Sequence, residues 1–221
     1  MFRPTPAVVT LAGPPGIGKS FLLTAVCTRL IHKLGISPDS VFSRNIFTEH
    51  WDGYYNQPII VYDDVHCDSQ HPSSTTFREL ISLVSCMPFS PSYAHLENKG
   101  DLIRPKYILM STNFPYPRYQ CSADAIQRRS GLLVYCIPKI GVRPDANFSH
   151  LTLYALPTPI EKPSIFDIND EYHYNTIQSF EKHPYYQYSK IVSINDIVDH
   201  LLATYVNNHS SILDIVTQYS K

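Results

Sequence analysis

The sequence predicts an α/β fold: a five-stranded parallel sheet with helices on both faces, followed by a small helical extension. Three observations predict it. An apolar, β-branched stretch, Ala7-Val8-Val9-Thr10-Leu11-Ala12, runs into a glycine-rich loop that opens an amphipathic helix. Four more short apolar runs follow, of the kind that suits strands buried on both faces of a parallel sheet. Two of those runs end in polar residues, Asp63-Asp64 and Ser111-Thr112-Asn113, and ligands on such sheets sit at the carboxyl ends of the strands.

The elements can be justified in order. After the first strand and its loop, Leu23, Val26, Cys27, Leu30, Ile31 and Leu34 recur at helical spacing on one face, and Gly35 supplies a stop. Val41 to Phe47 is a weakly patterned second strand. Pro58-Ile59-Ile60-Val61-Tyr62 is the third. Ser73 or Ser74 can cap a helix that aligns Phe77, Leu80, Ile81 and Val84. Tyr107-Ile108-Leu109-Met110 and Leu132-Leu133-Val134-Tyr135-Cys136 complete the five strands. Strands alternating with helices argue for parallel pairing with both faces covered.

Beyond about Arg143 the pattern changes. Residues 144 to 192 are rich in proline and tyrosine with little periodicity. Ser193 then caps a helix carrying Ile194, Ile197, Val198, Leu201, Leu202 and Tyr205, and a last helix carries Ile212, Ile215, Val216 and Tyr219. The expected division is a core at 1–143 and an extension at 144–221.

The loop Gly13-Pro14-Pro15-Gly16-Ile17-Gly18-Lys19-Ser20 has the pattern and context of a phosphate-binding loop. Glycines let successive backbone N–H groups curl around a phosphate, and the helix N-terminus behind them adds free donors and a positive dipole end. Lys19 can reach the β- and γ-phosphates of ATP, and the Ser20 hydroxyl can hold Mg2+. Asp63, at the end of an apolar strand, can hold the same ion. Asp64 beside it can orient or deprotonate an attacking water, and Asn113 can hydrogen-bond that water or the γ-phosphate. Arg128 and Arg129 fit a charge donated to a developing phosphoryl transition state.

Composition bounds the alternatives. The chain has 221 residues, enough for a sizeable core, and no run approaches 18 consecutive apolar residues, so no membrane anchor is expected within it. Its five cysteines, at least 15 residues apart, form no CxxC pair, which argues against a zinc ribbon and for a reducing compartment. His66, Cys67, Asp68 and His71 cluster on a polar loop, a grouping that is usually incidental. The net charge of −1 excludes general polyanion binding, yet residues 99–143 hold eight Lys/Arg against two acids, +6, leaving −7 for the rest. A basic segment in a neutral chain suggests a confined anion or nucleic-acid path.

These motifs, in their order, resemble a family. The phosphate loop, Trp51-Asp52-Gly53-Tyr54, Gln57, Asp63-Asp64, Leu96-Glu97-Asn98-Lys99-Gly100, Ser111-Thr112-Asn113 and Ala125-Ile126-Gln127-Arg128-Arg129 are similar to those of superfamily 3 helicases. The best match is the replication ATPase of picornavirus-like and calicivirus-like RNA viruses, over about residues 7 to 140. The resemblance implies a P-loop NTPase core of AAA+ type, a homo-oligomeric hexameric ring with ATP and Mg2+ between subunits, RNA as partner, and contacts with other viral replication proteins. It implies a host-cytoplasmic location, at replication membranes through regions outside this chain. It makes Asn113 a sensor and the Arg128-Arg129 pair a finger reaching the neighbouring site. Lys99 and Gly100 would face a central channel, with Trp51 and Tyr54 in a second channel loop where an aromatic ring could stack on a base. The cysteine-rich zinc segment of some enterovirus members has no counterpart here.

Two other readings stay open at this level. One is a replication-initiator helicase of a small circular DNA virus, whose motifs also include Trp-Asp-Gly-Tyr; there a second glycine typically follows Lys-Gly, where this chain has Asp101. The other is a non-unwinding module that binds nucleotide and RNA and holds a replication complex together.

Overall fold

A computed structural model describes residues 2–65, 75–94, 100–113, 125, 128–156, 180–181 and 186–219. Its elements are β1 (Ala7–Ala12), α1 (Lys19–Leu34), β2 (Val41–Ser43), β3 (Ile59–Tyr62), α2 (Thr75–Leu83), β4 (Tyr107–Thr112), β5 (Leu132–Pro138), β6 (Leu151–Leu156), β7 (Lys190–Ile191) and α3 (Ile194–Tyr219). The strands form one sheet in the order β2-β3-β4-β1-β5-β6-β7. The five expected strands pair in parallel, and β6 and β7 extend them antiparallel beyond β5. The sheet therefore runs across the 143/144 boundary expected from the change in pattern. The sequence signal for β6 was obscured because Leu151–Leu156 is buried at most positions and shows no clean alternation.

The chain leaves β1 for the sheet edge at β2, returns through β3 and β4, and crosses β1 to reach β5. Its parallel register sets Ala7 beside Tyr107 and Ala12 beside Thr112, while Tyr62 on β3 lies beside Met110. All these strands thus end at one edge of the sheet.

Alternate residues of the strands face two cores. On one side Val9, Leu11, Leu109 and Val134 pack with Leu22, Leu23, Val26 and Leu30 of α1 and Ile197, Val198 and Leu201 of α3. On the other, Val8, Ile60, Tyr62, Ile108 and Met110 meet Leu80 and Leu83 of α2 and the rings of Trp51 and Tyr54. Helix α1 also buries Leu22 fully, which its spacing did not imply, while Ile31 and Leu34 are half-buried. It ends as expected at Gly35, whose left-handed backbone (φ 63°) lets the Gly35 and Ile36 N–H groups donate back to His32 O and Ile31 O.

Helix α3 joins the two C-terminal segments into one. Ser193 caps it: the Asp196 N–H donates to Ser193 Oγ at 3.2 Å and the Ser193 N–H donates to Asp196 Oδ2 at 2.8 Å. No proline or glycine lies between 194 and 219, so the polar stretch Asn207-Asn208-His209-Ser210 has nothing to break the helix with. Asn208 Nδ2 instead donates to Thr5 O at 2.9 Å and ties α3 to the start of the chain. Among the described residues no helix is long and apolar enough to cross a membrane.

A buried ion pair, which no sequence pattern signalled, holds α2 to the sheet. Arg44 donates to Glu79 through Nε at 3.2 Å and Nη2 at 3.0 Å. Glu79 also accepts the Trp51 indole N–H at 2.8 Å and the Tyr62 hydroxyl at 2.5 Å. Burial, reinforced by the Glu79 carboxylate, pushes the Tyr62 phenol well above its ordinary value. Four elements of chain meet on this one carboxylate. Glu79→Ala leaves the Arg44 charge buried without its counter-ion and should cost about 3–5 kcal/mol of stability, read as a lowered urea midpoint. A loss below about 1 kcal/mol would show the pair to be no more than a surface salt bridge.

Candidate nucleotide site

The loop between β1 and α1 is shaped by two different demands on glycine. Gly18 caps α1 in the left-handed region (φ 91°), a conformation that L side chains rarely adopt. Gly13 is required by packing, since a Cβ there would lie 2.6 Å from Cys136 O on β5. Helix α1 begins immediately after, with no side chain capping it, so its first N–H groups are presented to the loop. The arrangement fits a bound phosphate.

Lys19 is buried, and burial lowers its pKa, opposed by the charges of Cys136, Asp64 and Asp63. Two of its three donors are used: Nζ donates to Pro14 O at 2.7 Å and to Asn113 Oδ1 at 2.6 Å. Because Oδ1 faces the lysine, Nδ2 of Asn113 faces the other way and donates to Asp64 Oδ1 at 3.0 Å. One hydrogen-bonded chain, Lys19–Asn113–Asp64, therefore links the phosphate loop to the ends of β4 and β3.

The two aspartates occupy different positions. Ser20 Oγ donates to Asp63 Oδ1 at 3.0 Å, which brings a hydroxyl and a carboxylate together as hard oxygen donors suited to Mg2+. Asp64 sits in the left-handed region at φ 53°, unusual for a residue other than glycine though better tolerated by Asp than by most. Burial raises its pKa, with Lys19 pulling it down and Asp63 pushing it up. A carboxyl raised in this way is a better proton acceptor than an ordinary surface aspartate.

Ser111 joins the two aspartates, a role its place in the sequence does not signal. In the sequence it stands only as the first of the polar residues Ser111-Thr112-Asn113 that end an apolar run. Its hydroxyl donates to Asp63 Oδ1 and accepts the Asp64 N–H at 2.9 Å, so one side chain positions both aspartates. Thr112 Oγ1 and the Ser111 carbonyl complete the join: Thr112 donates to Val65 O at 2.6 Å and the Val65 N–H donates to Ser111 O at 2.8 Å.

The remaining expected site residues separate. Arg129 is held within its own chain, donating to Ile81 O at 3.0 Å and Ala125 O at 2.9 Å, whereas Arg128 is exposed. Gly100 lies in a turn at φ 94°, and Lys99 falls outside the described residues, as do His66, Cys67, Asp68 and His71. Trp51 and Tyr54 correct the expectation of a base-stacking loop. Both are buried, Trp51 stacked on Phe42 at 5.5 Å and Tyr54 edge-on to Trp51 at 5.3 Å. Their aromatic area is taken by the core beneath α2, because the Trp51 N–H finds its partner on Glu79 there.

Residues 9–114, from β1 through the end of β4, match the RNA helicase family. The chain is 29% identical over 224 residues, its whole length, to the genome polyprotein of avian encephalomyelitis virus (strain Calnek vaccine). It is 38% identical over 113 residues (51% of the chain) to the genome polyprotein of Cosavirus A, and 35% over 136 residues (60%) to the RNA1 polyprotein of red clover mottle virus. It spans 10%, 5% and 7% of those polyproteins respectively. The family match covers the very strands whose ends carry Lys19, Asp63 and Asn113, and the relatives are viral polyproteins from animal and plant hosts. These similarities support a superfamily 3 helicase domain of the picornavirus-like RNA viruses.

Proposed function

We propose that this chain is the motor domain of an RNA helicase or translocase, an AAA+ type core that hydrolyses ATP between the subunits of a hexameric ring. It would act during viral genome replication in the host cytoplasm, alongside other replication proteins. The observation that carries this reading is the chain Lys19–Asn113–Asp64 with Ser20 against Asp63. These groups supply what phosphoryl transfer needs: a cation at the phosphates, an oxygen pair for a metal, a proton acceptor and an amide to sense the γ-phosphate. On nucleotide binding, Lys19 exchanges Pro14 O and Asn113 for phosphate oxygens. Ser20 and Asp63 would hold Mg2+, whose chemistry is to neutralise charge on the phosphates. Asn113, released from the lysine, is free to orient water beside Asp64.

Lys19→Ala should abolish hydrolysis and strongly weaken ATP binding. Asp64→Asn should retain ATP while slowing turnover by about 10²–10⁴-fold, the usual worth of a positioned base. In the wild type, turnover should rise with pH along an acid limb above the ordinary carboxylate range, and that limb should vanish in Asp64→Asn. Normal turnover in either variant overturns its assigned role.

Lys99→Ala should lower RNA affinity and RNA-stimulated hydrolysis but spare the basal rate. The deficit should shrink as salt rises, because phosphate contacts act through counterion release. Equal loss of basal and stimulated rates would make Lys99 a structural residue. Duplex displacement on RNA and DNA substrates separates an RNA helicase from a DNA-virus initiator and from a non-unwinding module.

Assembly supplies the last test. The exposure of Arg128 suits a finger reaching a neighbouring site, a contribution of about 10³–10⁵ in rate where it operates. Specific activity should then climb with protein concentration. Arg128→Ala should bind ATP but hydrolyse it poorly, and Arg129→Ala should in addition lose stability with its bond to Ile81 O. Mixing Lys19→Ala with Arg128→Ala subunits should restore part of the activity. Concentration-independent turnover without rescue would show that Arg128 does not act between subunits.

A further inference from the structure

His150 lies at the start of β6, far in sequence from the phosphate loop, yet its ring reaches that loop. The imidazole is buried, with Nε2 3.3 Å from Ile17 O. A carbonyl can only accept, so Nε2 carries the proton and donates. Nδ1 is then free to accept, and it does: the Asp145 N–H donates to it at 3.4 Å. The Ile17 contact thus places a proton on Nε2, while Nδ1 faces both the Asp145 N–H and, at 3.7 Å, Asp145 Oδ1.

The turn that carries His150 is tightly built. Asp145 Oδ1 accepts the Ser149 N–H at 2.8 Å and Oδ2 accepts the Ser149 hydroxyl at 2.6 Å. These bonds, led by that hydroxyl and joined by the nearby His150 ring, hold the Asp145 carboxyl below its usual range. The Phe148 N–H donates to Asp145 O at 3.2 Å, and Lys139 pins the far side, its N–H to His150 O and its Nζ to Ser149 O, both at 2.8 Å. Within this turn Phe148 stands in the left-handed region at φ 57°, a costly conformation for a bulky side chain. Such strain persists only where the surroundings over-determine it, and it concentrates at functional sites. Phe148 and Ile17 both pack against the core cluster beneath α1.

We propose that His150 is a positioning residue for phosphate binding, acting through the Ile17–Gly18 peptide. In a trans peptide the C=O and the following N–H point in opposite directions. Anchoring Ile17 O on the β5–β6 side therefore aims the Gly18 N–H away from that hairpin, to the side where a phosphate is cradled. Gly18 has a left-handed φ of 91° and no Cβ to fix its peptide, so an external anchor has an orientation to set. The histidine makes the phosphate loop's geometry depend on β6, an element outside the family-matched residues.

This proposal rests on the phosphate-loop reading of Gly13–Ser20, and the test separates the two. Binding of ADP and ATP with Mg2+ would be measured by titration calorimetry on the full chain, wild type beside His150→Leu, His150→Gln and Lys19→Ala, each also unfolded thermally without nucleotide. His150→Leu should weaken binding about 3- to 10-fold, the worth of one hydrogen bond. His150→Gln, which keeps a donor near the Nε2 position, should recover most of it, while both unfold near the wild-type temperature. Wild-type binding by His150→Leu, or equal loss in the Leu and Gln variants, overturns the proposal. Wild-type binding by Lys19→Ala overturns the phosphate-loop reading instead. Long-range 1H–15N spectra of the wild type need no variant to fold: a proton on Nε2 is expected, and a ring protonated on Nδ1 alone would refute the assignment.

Discussion

Insertion of β4 between β1 and β3 is the constraint on which the site depends. The chain makes β1, builds the loop and α1, and lays down β2 and β3 before β4 slots between the first strand and the third. Only then does Asn113, at the end of β4, come between Lys19 from the β1 loop and Asp64 from the end of β3. Each bond in the chain Lys19–Asn113–Asp64 joins residues far apart in sequence. None can form until the sheet has closed in that order. The buried ammonium, whose pKa falls through lost hydration, depends on the same closure for its acceptors.

The two faces of the sheet support this edge differently. Beneath α1 and α3 the packing is mainly aliphatic, and it seats α1 where it leaves the Gly13–Ser20 loop. Beneath α2 a polar centre, Arg44–Glu79 with Trp51 and Tyr62, lies inside an aromatic cluster. Tyr62 immediately precedes Asp63, so its hydroxyl bond to Glu79 fixes the strand end from which both aspartates project. A buried carboxylate with several donors is costly unless all are satisfied. Satisfied, it holds the Trp-Asp-Gly-Tyr segment as a structural unit.

A third support comes from the β5–β6 hairpin. Cys136 O passes so near Gly13 that no side chain fits there, and His150 reaches Ile17 O from the next strand. The phosphate loop is thus bounded on one side by β4 and Asn113 and on the other by a hairpin. Elements on both sides of β1 shape the conformation of the Gly13–Ser20 loop.

What the amino-acid sequence determined by itself was local. The pattern Gly13–Ser20 after a β-branched strand requires little beyond neighbouring residues, because φ restrictions and apolar periodicity act within a few positions. The five parallel strands, most of the buried face of α1, the Gly35 stop and the Ser193 cap were legible for that reason. So was the meeting of Lys19, Ser20, Asp63, Asp64 and Asn113 at one sheet edge, since their segments follow apolar runs that end there. Tertiary structure decided the rest. Leu151–Leu156 became a strand because β5 offered an open edge, and buried edge pairing leaves no alternation to read. Trp51 and Tyr54 went to the core because Glu79, contributed by α2, supplied the indole with its acceptor. Ser111 and His150 have no local signal: a serine in a strand and a histidine after a turn gain their roles only from partners brought to them by the sheet. Hydrogen-bond partners across long stretches of chain are a property of the closed fold, which neither periodicity nor spacing encodes.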